Sequence, residues 1–227
     1  MNIGIIGAGH IGGALTRRLT TLGHKVFVAN SRGPESLADL AEETGATPVS
    51  VQQAARNGEI VIVTIPEKNI PNLPRDLFDG VSDDVIVIDT GNYYPQQRDG
   101  RIDGIEGGAT ESRWVSQQLG RHVVKTFNNI YADHLLRKGQ PAGTSGRIAL
   151  PVAGDDSEAK ATVIDLLDEL GFDGVDAGPI DESWKQQPGT PVYASDFDAD
   201  GVKKALSQAT KERKPEWRAT KADTTTA

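Results

Sequence analysis

The residues best suited to chemistry stand at the start of the chain, where Gly7-Ala8-Gly9-His10-Ile11-Gly12 matches the pattern G-x-G-x-x-G. Between a strand and a helix, the first glycine permits a tight turn, the second lets the backbone approach a pyrophosphate, and the third lets helix and strand pack closely. The N–H groups at the helix N-terminus then attract the phosphates. An apolar run precedes this motif and a helical pattern follows it, so a cofactor role is favoured over a merely structural turn. The residues predicted to hold a dinucleotide are Gly7, Ala8, Gly9, His10, Ile11 and Gly12.

The end of the second predicted strand indicates which dinucleotide is bound. An NAD site carries Asp or Glu there, about 20 residues after the glycines, to accept hydrogen bonds from the ribose 2′-hydroxyl. This chain has Asn30, Ser31 and Arg32 at that place, and no acid before Glu35. A hydroxyl beside a guanidinium suits a 2′-phosphate, because the planar fork of Arg binds phosphate oxygens. The pattern favours NADP(H); the alternative is a solvated Arg32 with Ser31 capping the next helix.

Residues after the fourth and fifth predicted strands indicate where the nicotinamide half lies. Thr64, Ile65 and Pro66 follow the fourth strand, and Thr90 follows the fifth. Because the carboxyl ends of parallel strands line the ligand crevice, Ile65 and Pro66 are predicted to form an apolar wall, and the two threonines to offer small polar contacts. Ordinary turn chemistry at the ends of strands is the alternative.

The sixth predicted strand leads into a segment that could contact the second reactant. Asn128 and its neighbour Asn129 could hold a carboxamide or the edge of a flat heterocycle, since each amide offers donors and an acceptor. Lys125 is either a catalytic or phosphate-binding cation or, as is more usual, a solvated lysine. Tyr93 or Tyr94 could stack on a flat acceptor, or could lie exposed in a loop without such a role.

The elements that must position these residues alternate along the chain. Continuous β-branched runs such as 60–65 and 85–89 predict strands that are covered on both faces. Amphipathic stretches between them predict crossover helices and therefore an α/β, doubly wound, mostly parallel sheet of the Rossmann type with a small C-terminal extension. Residues 1–120 are predicted to form the dinucleotide-binding core, 121–193 to continue the sheet and form the acceptor and dimer region, and 194–227 to form a C-terminal helix and a frayed tail.

Composition excludes several kinds of chemistry. The 227 residues contain no Cys, which excludes disulfides, Cys nucleophiles and Cys-ligated metals, and the net charge of −8 disfavours nucleic-acid and anionic membrane partners. No apolar run approaches the roughly 20 residues that span a bilayer, so we expect a soluble cytoplasmic protein. No metal motif or nucleophile–base spacing stands out, and we predict neither a catalytic side chain nor a metal ligand. Hydride transfer between two bound heterocycles fits this absence, since it needs positioning and exclusion of water.

Several segments together resemble the F420-dependent NADP oxidoreductase family, whose members include the NADPH-dependent F420 reductases. They are the glycine loop and the segments Asn30–Leu37, Val123–Asn129 and Pro151–Asp156. The resemblance extends over about residues 1–193. It implies NADPH at the glycine loop and at Ser31 and Arg32, hydride exchange with the deazaflavin coenzyme F420, and pairing as a homodimer.

The acceptor is less closely defined than the cofactor. No residue distinguishes F420 from FMN, FAD or a small carbonyl or imine compound. The prediction is therefore an NADP(H)-dependent oxidoreductase with a flavin-like or deazaflavin small-molecule acceptor. The alternatives are an NADP-dependent dehydrogenase or reductase of a small metabolite, and a non-catalytic NADP(H)-binding module.

Overall fold

The computed structural model of the chain describes residues 1–223, so residues 224–227 of the predicted tail lie outside the described part. The strands are β1 (Asn2–Ile6), β2 (Lys25–Ala29), β3 (Thr47–Pro48), β4 (Ile60–Val63), β5 (Ile86–Asp89), β6 (Val123–Lys125), β7 (Ala149–Val152) and β8 (Asp173–Asp176). The α-helices are α1 (His10–Thr21), α2 (Ala38–Thr44), α3 (Val51–Asn57), α4 (Asp103–Glu106), α5 (Glu111–Leu119), α6 (Ala132–Arg137), α7 (Ser157–Glu169) and α8 (Ala199–Gln208).

Six strands form one parallel sheet in the order β3-β2-β1-β4-β5-β6. The chain begins in the middle of the sheet, builds outward to β3, returns to the other side of β1 and builds outward to β6. This is the Rossmann order, and its switch point between β1 and β4 is where dinucleotides bind. The predicted α/β doubly wound fold is therefore confirmed, with every ladder of this sheet parallel.

The sheet is covered on both faces, as its continuous apolar strands require. In β2, Val26 and Val28 pack into one hydrophobic cluster, whereas Phe27 and Ala29 pack into a second cluster on the opposite face. Helix α1 contributes to the first cluster and α3 to the second. The approach of α3 depends on Gly4 in β1, because a Cβ there would stand 2.1 Å from the carbonyl oxygen of Ala54.

The prediction that residues 121–193 continue the sheet holds for β6 alone. Strands β7 and β8 form a separate two-stranded parallel sheet, which meets β6 only through an antiparallel bridge between Lys125 and Ala153. On the edge of β7 that faces away from β8, the Ala149 N–H donates to the carbonyl oxygen of Phe197, and the Ala153 N–H donates to the carbonyl oxygen of Lys125. Pro151 lies between them and has no N–H to donate, so the ladder cannot extend along this edge.

Helix α8 is the helix predicted within residues 194–227. It starts at Ala199 because Asp198 caps it by accepting from the Gly201 N–H at 2.9 Å. Val202, Ala205 and Leu206 bury its apolar face against β7 and β8. No helix in the described part of the chain is long and apolar enough to cross a membrane.

Candidate functional site

The glycine loop forms the tight turn between β1 and α1 that its pattern predicts. Gly7 has φ +111°, which L side chains rarely adopt, and a Cβ on Gly12 would stand 1.9 Å from the Gly7 carbonyl oxygen. Gly9 differs from both, because a Cβ there would meet nothing within 4 Å. The open space beside Gly9 therefore faces outward at the N-terminus of α1, where a helix attracts phosphate.

The turn after β2 presents Ser31 and Arg32 to solvent. The side chain of Asn30 organises this turn, since its Oδ1 accepts from the Arg32 backbone N–H at 2.9 Å and its Nδ2 donates to Ser36. Within residues 1–223 the guanidinium of Arg32 has no ion-pair partner. The following 3₁₀ turn begins at Pro34 after Gly33, so Ser31 does not cap it and the capping alternative is wrong.

A cleft of about 710 Å³ brings most of the predicted cofactor residues together. It runs from the glycine loop to the turn after β2 and is closed on the other side by the start of α3 and the segment after β4. The predicted residues that line it are Gly7, Ala8, Gly9, Asn30, Ser31, Arg32, Thr64, Ile65 and Pro66. Of the cleft-lining residues that the structure describes, Arg32 alone is ionisable.

The segment after β4 forms one wall of this cleft and is tied to the glycine loop. The Thr64 hydroxyl donates to the Gly7 carbonyl oxygen at 3.2 Å. Ile65 and Pro66 lie beyond it and present apolar surface, as predicted. Asn69 and Asn72, from the 3₁₀ helix Glu67–Asn72, also line the cleft, and the sequence motifs did not single them out.

Three predicted residues of the glycine loop lie outside the cleft. Gly12 is buried against the loop itself, and the side chain of Ile11 packs on the hydrophobic core. His10 is exposed and lines a neighbouring groove of about 620 Å³, which Arg32 also borders.

The structure does not place Thr90 or Asn128 in the cleft. The Thr90 hydroxyl is buried and donates to the Val63 carbonyl oxygen at 3.2 Å. The Asn128 amide donates to Asn92 Oδ1 at 3.0 Å and to the Gln186 carbonyl oxygen at 2.7 Å, and it accepts from Gln186 Nε2 at 3.0 Å. Asn128 thus joins three loops internally, and its prediction as a cofactor contact is corrected to a structural role. The sequence could not show this, because its partners lie 36 and 58 residues away.

Lys125 is buried, contrary to the expectation of a solvated strand-end lysine. Its Nζ donates to Asp89 Oδ2 at 3.0 Å and to the Gly91 carbonyl oxygen at 2.6 Å. Ser112 also donates to Asp89 Oδ2, at 2.7 Å. Burial lowers the pKa of Lys125, but Asp89 and the other nearby carboxylates more than offset this effect and hold the pKa above its usual value. The ion pair fixes the ends of β5 and β6 relative to each other.

Glu67, at the start of the 3₁₀ helix after β4, is another residue of this region that no sequence motif indicates. Its side chain is fully buried, and neither carboxyl oxygen has a hydrogen-bond partner within the described residues. A Cβ on Gly91 would stand 2.5 Å from its Oε1, so the carboxyl group lies directly against that glycine. Burial, and then the charge of Asp89, raise the pKa of Glu67 well above its usual range.

The charges around Glu67 explain why its pKa is raised. Three neighbouring acids have a base: Asp89 pairs with Lys125, Asp99 with Arg98 at 2.9 Å, and Glu111 with Arg213 at 2.8 Å. Glu67 is a fourth acid, and no ion-pair partner for it exists in residues 1–223. Burial without a counter-ion disfavours the charged carboxylate relative to the protonated acid, which is why the pKa of Glu67 is raised.

The two tyrosines after β5 differ in environment. Tyr93 is fully buried, and its hydroxyl accepts from the Ile102 N–H at 3.0 Å, so it cannot stack on a ligand. Tyr94 is half-buried, and its hydroxyl lies 2.5 Å from the Tyr193 hydroxyl. Burial, and next the hydrogen bond to Tyr193, raise the pKa of Tyr94 far above its usual value. Of the two, Tyr94 is the one that is partly exposed, and the Arg98 guanidinium lies 4.9 Å from the centroid of its ring.

Comparisons with known proteins agree with this arrangement. A family profile described as NADP oxidoreductase, coenzyme F420-dependent, matches residues 2–93. A crystal structure of a hypothetical protein, SMa0349 from Sinorhizobium meliloti, is 33% identical with a TM-score of 0.72, covering 87% of this chain and 95% of that one. The fold also matches a protein from Arthrobacter sp. FB24 that carries the provisional description F420-dependent NADP-reductase, with 23% identity, a TM-score of 0.63, and 79% and 86% of the two chains covered.

The Escherichia coli (strain K12) protein YjhV is 44% identical over 71 residues, which are 31% of this chain. The match spans about half of that relative, 52% of its length. The matched family segment contains β1 to β5, and with them the glycine loop, Ser31, Arg32 and the wall after β4. Residues 2–93 of this chain belong to the family of coenzyme F420-dependent NADP oxidoreductases.

Proposed function

We propose that this protein transfers hydride between NADPH, bound in the cleft, and a flat acceptor of the deazaflavin kind. The observation that carries the cofactor assignment is the meeting of Ser31 and Arg32 with the glycine loop in one cleft. Both side chains are exposed, and Arg32 has no ion-pair partner in the described part of the chain. The charge that a 2′-phosphate needs is thus present and unused.

The residues of the cleft fit the parts of NADPH in order. The N-terminus of α1 and the open space at Gly9 suit the pyrophosphate, since no side chain stands between the backbone and a ligand there. Ser31 and Arg32 suit the 2′-phosphate. The nicotinamide half would then lie beside Ile65 and Pro66, the apolar part of the cleft wall, on the side toward the ends of β5 and β6.

Bound NADPH supplies the hydride, and the chain supplies position. The cleft lacks an ionisable side chain other than Arg32 among the described residues. Oxidation of an alcohol would call for a base beside the reacting atom, whereas exchange of hydride between two ring systems calls chiefly for alignment. This difference favours a flat heteroaromatic acceptor over a metabolite. The family description and the Arthrobacter relative both name F420, and no feature of the chain favours FMN or FAD. Pairing as a homodimer stays a prediction.

Replacing Arg32 tests the cofactor assignment. We expect Arg32→Ala to weaken NADPH binding by about 10- to 100-fold, the range for loss of a charged hydrogen bond, and to leave NADH binding nearly unchanged. The dissociation constants are measured by the fluorescence of the reduced nicotinamide. Arg101→Ala is the matched control, because Arg101 is an exposed arginine paired with Asp103 outside the cleft. Equal losses for the two cofactors would contradict the assignment.

A further inference from the structure

The segment 213–219, which we name the C-terminal strap, lies across two loops beside the proposed site. Gln96 Nε2 donates to the carbonyl oxygens of Pro215 and Arg218 at 3.0 and 2.8 Å. Arg213 Nη2 donates to Glu111 at 2.8 Å and to Gln187 at 2.9 Å. The strap therefore joins the loop after β5 to the loop that follows the 3₁₀ helix Ile180–Gln186.

The strap inserts one flat ring between these loops. The Trp217 indole lies 5.9 Å from the Tyr94 ring and 6.2 Å from the Tyr193 ring, centroid to centroid, with tilted and edge-on geometry. Its third neighbour is Gly189, where a Cβ would stand 2.6 Å from Cδ1 and Nε1 of the indole. Gly189 also has φ +86°, so both its conformation and its lack of a side chain make room for the ring. We name this space, walled by Tyr94, Gly189 and Tyr193, the aromatic slot.

The aromatic slot begins where the acceptor is expected. Tyr94 follows Asn92, whose amide donates to the Asn128 carbonyl oxygen at 2.7 Å at the end of β6. Gly189 lies three residues after Gln186, which is hydrogen-bonded to Asn128. Both walls of the slot thus extend from one hydrogen-bond network at the carboxyl ends of β5 and β6. That edge of the sheet is where the nicotinamide half of the proposed NADPH extends.

The strap is anchored at its two ends and exposed between them. The Arg213–Glu111 ion pair is largely buried, and the Ala219 N–H donates to Glu106 at 2.8 Å. Between these anchors Trp217 is half-buried, and Lys214, Pro215, Glu216 and Arg218 are exposed. Segments with few buried contacts open at low free-energy cost. An indole is moreover a flat nitrogen heterocycle, so a slot that accepts it in tilted and edge-on contact with two tyrosine rings also has room for the ring of an acceptor.

We propose that the aromatic slot is the binding site for the acceptor ring and that Trp217 is its resting occupant. This inference rests on the proposed function. A flat heteroaromatic acceptor of the deazaflavin class displaces the indole and stacks against Tyr94, and the strap moves outward. The C-terminal strap then competes with the acceptor, and removing the indole strengthens acceptor binding.

The test is a titration with F420 in the presence of saturating NADP⁺, which prevents turnover. We expect Trp217→Ala to bind F420 about 3- to 10-fold more tightly than the unmodified protein, which is the scale of one aromatic contact. Trp184→Ala is the matched control, because Trp184 is also half-buried but contacts Lys185 instead. Unchanged or weaker binding by Trp217→Ala, with binding by the control unaltered, would overturn the proposal.

A second measurement uses the unmodified chain and so does not depend on the variant folding. If F420 displaces Trp217, trypsin should cleave after Arg218 faster when F420 is present. An unchanged cleavage rate at an F420 concentration that saturates the protein would overturn the displacement. If F420 oxidises NADPH while both tests fail, the slot is wrong and the proposed function stands. If F420 neither binds nor oxidises NADPH, both are wrong.

Discussion

Glu67 shows how a single residue near the candidate site can carry a property that local sequence does not reveal. It follows Thr64, Ile65 and Pro66 directly, yet an acidic residue at the start of a helical turn is usually exposed, and the sequence around Glu67 does not distinguish it from such a residue. Its burial depends on Gly91 and Asp89, which come from another strand. The sequence did predict that Ser31 and Arg32 lie beside the glycine loop, because this placement depends only on their position at the end of β2.

The raised pKa of Glu67 predicts a pH dependence of stability. Because its pKa is higher in the folded than in the unfolded chain, its contribution is most favourable below the unfolded pKa, about 4.3, and becomes less favourable as the pH rises toward the folded-state pKa. Glu67→Gln keeps the shape and cannot ionise. We expect its melting temperature to match that of the unmodified protein near pH 4 and to exceed it at pH 8 by at least about 2 °C.

Thermal unfolding at several pH values measures this difference. The control is Glu43→Gln, since Glu43 lies on the surface, pairs with Arg17, and has a pKa that this hydrogen bond lowers. This control should show no gain at pH 8. A difference between Glu67→Gln and the unmodified protein that stays constant from pH 4 to pH 8 would show that Glu67 does not hold a proton.

At the scale of elements, two residues of the glycine loop are expected to differ in role, one acting in folding and the other in binding. Gly12 is a packing residue, whose Cβ would collide with the Gly7 carbonyl oxygen, whereas Gly9 has space for a Cβ and a negative φ. We expect Gly12→Ala to lower the melting temperature strongly. Gly9→Ala should fold normally but bind NADPH at least about 10-fold more weakly, because its methyl group occupies the approach of the pyrophosphate.

Thermal unfolding and NADPH titration of both variants check this separation, and each variant serves as the control for the other. Normal NADPH binding by Gly9→Ala would mean that the phosphates do not approach this turn. Normal stability of Gly12→Ala would mean that the close packing of α1 on the loop is not needed.

Elements were predictable where local signals sufficed. The β-branched runs of β4 and β5 predict strands without any distant partner. Helix α5 has local signals too, because Thr110 caps its start and Gly120 ends it. The separation of β7 from the main sheet is less local. Pro151 lacks an N–H, and its pairing with β8 determines which edge of β7 loses a donor.

At the scale of the whole molecule, the proposed site is divided between two regions of the chain. Segments between residues 6 and 74 line the proposed NADPH cleft. The loop after β5, the loop after the 3₁₀ helix Ile180–Gln186 and the C-terminal strap form the aromatic slot. The cleft could be predicted because its motif is local and lies at the switch point of the fold. The aromatic slot could not, because its walls come from residues 94, 189 and 193, and residue 217 occupies it.

Oxidation of NADPH by a panel of acceptors tests the central claim most directly. The purified protein is mixed with NADPH and, separately, with F420, FMN, FAD or small carbonyl and imine compounds, and the absorbance of the reduced nicotinamide is followed. The account predicts that F420 is reduced with loss of one NADPH per F420, and that NADH substitutes poorly. Tight NADPH binding without oxidation by any acceptor, or oxidation only by small carbonyl or imine compounds, would contradict it.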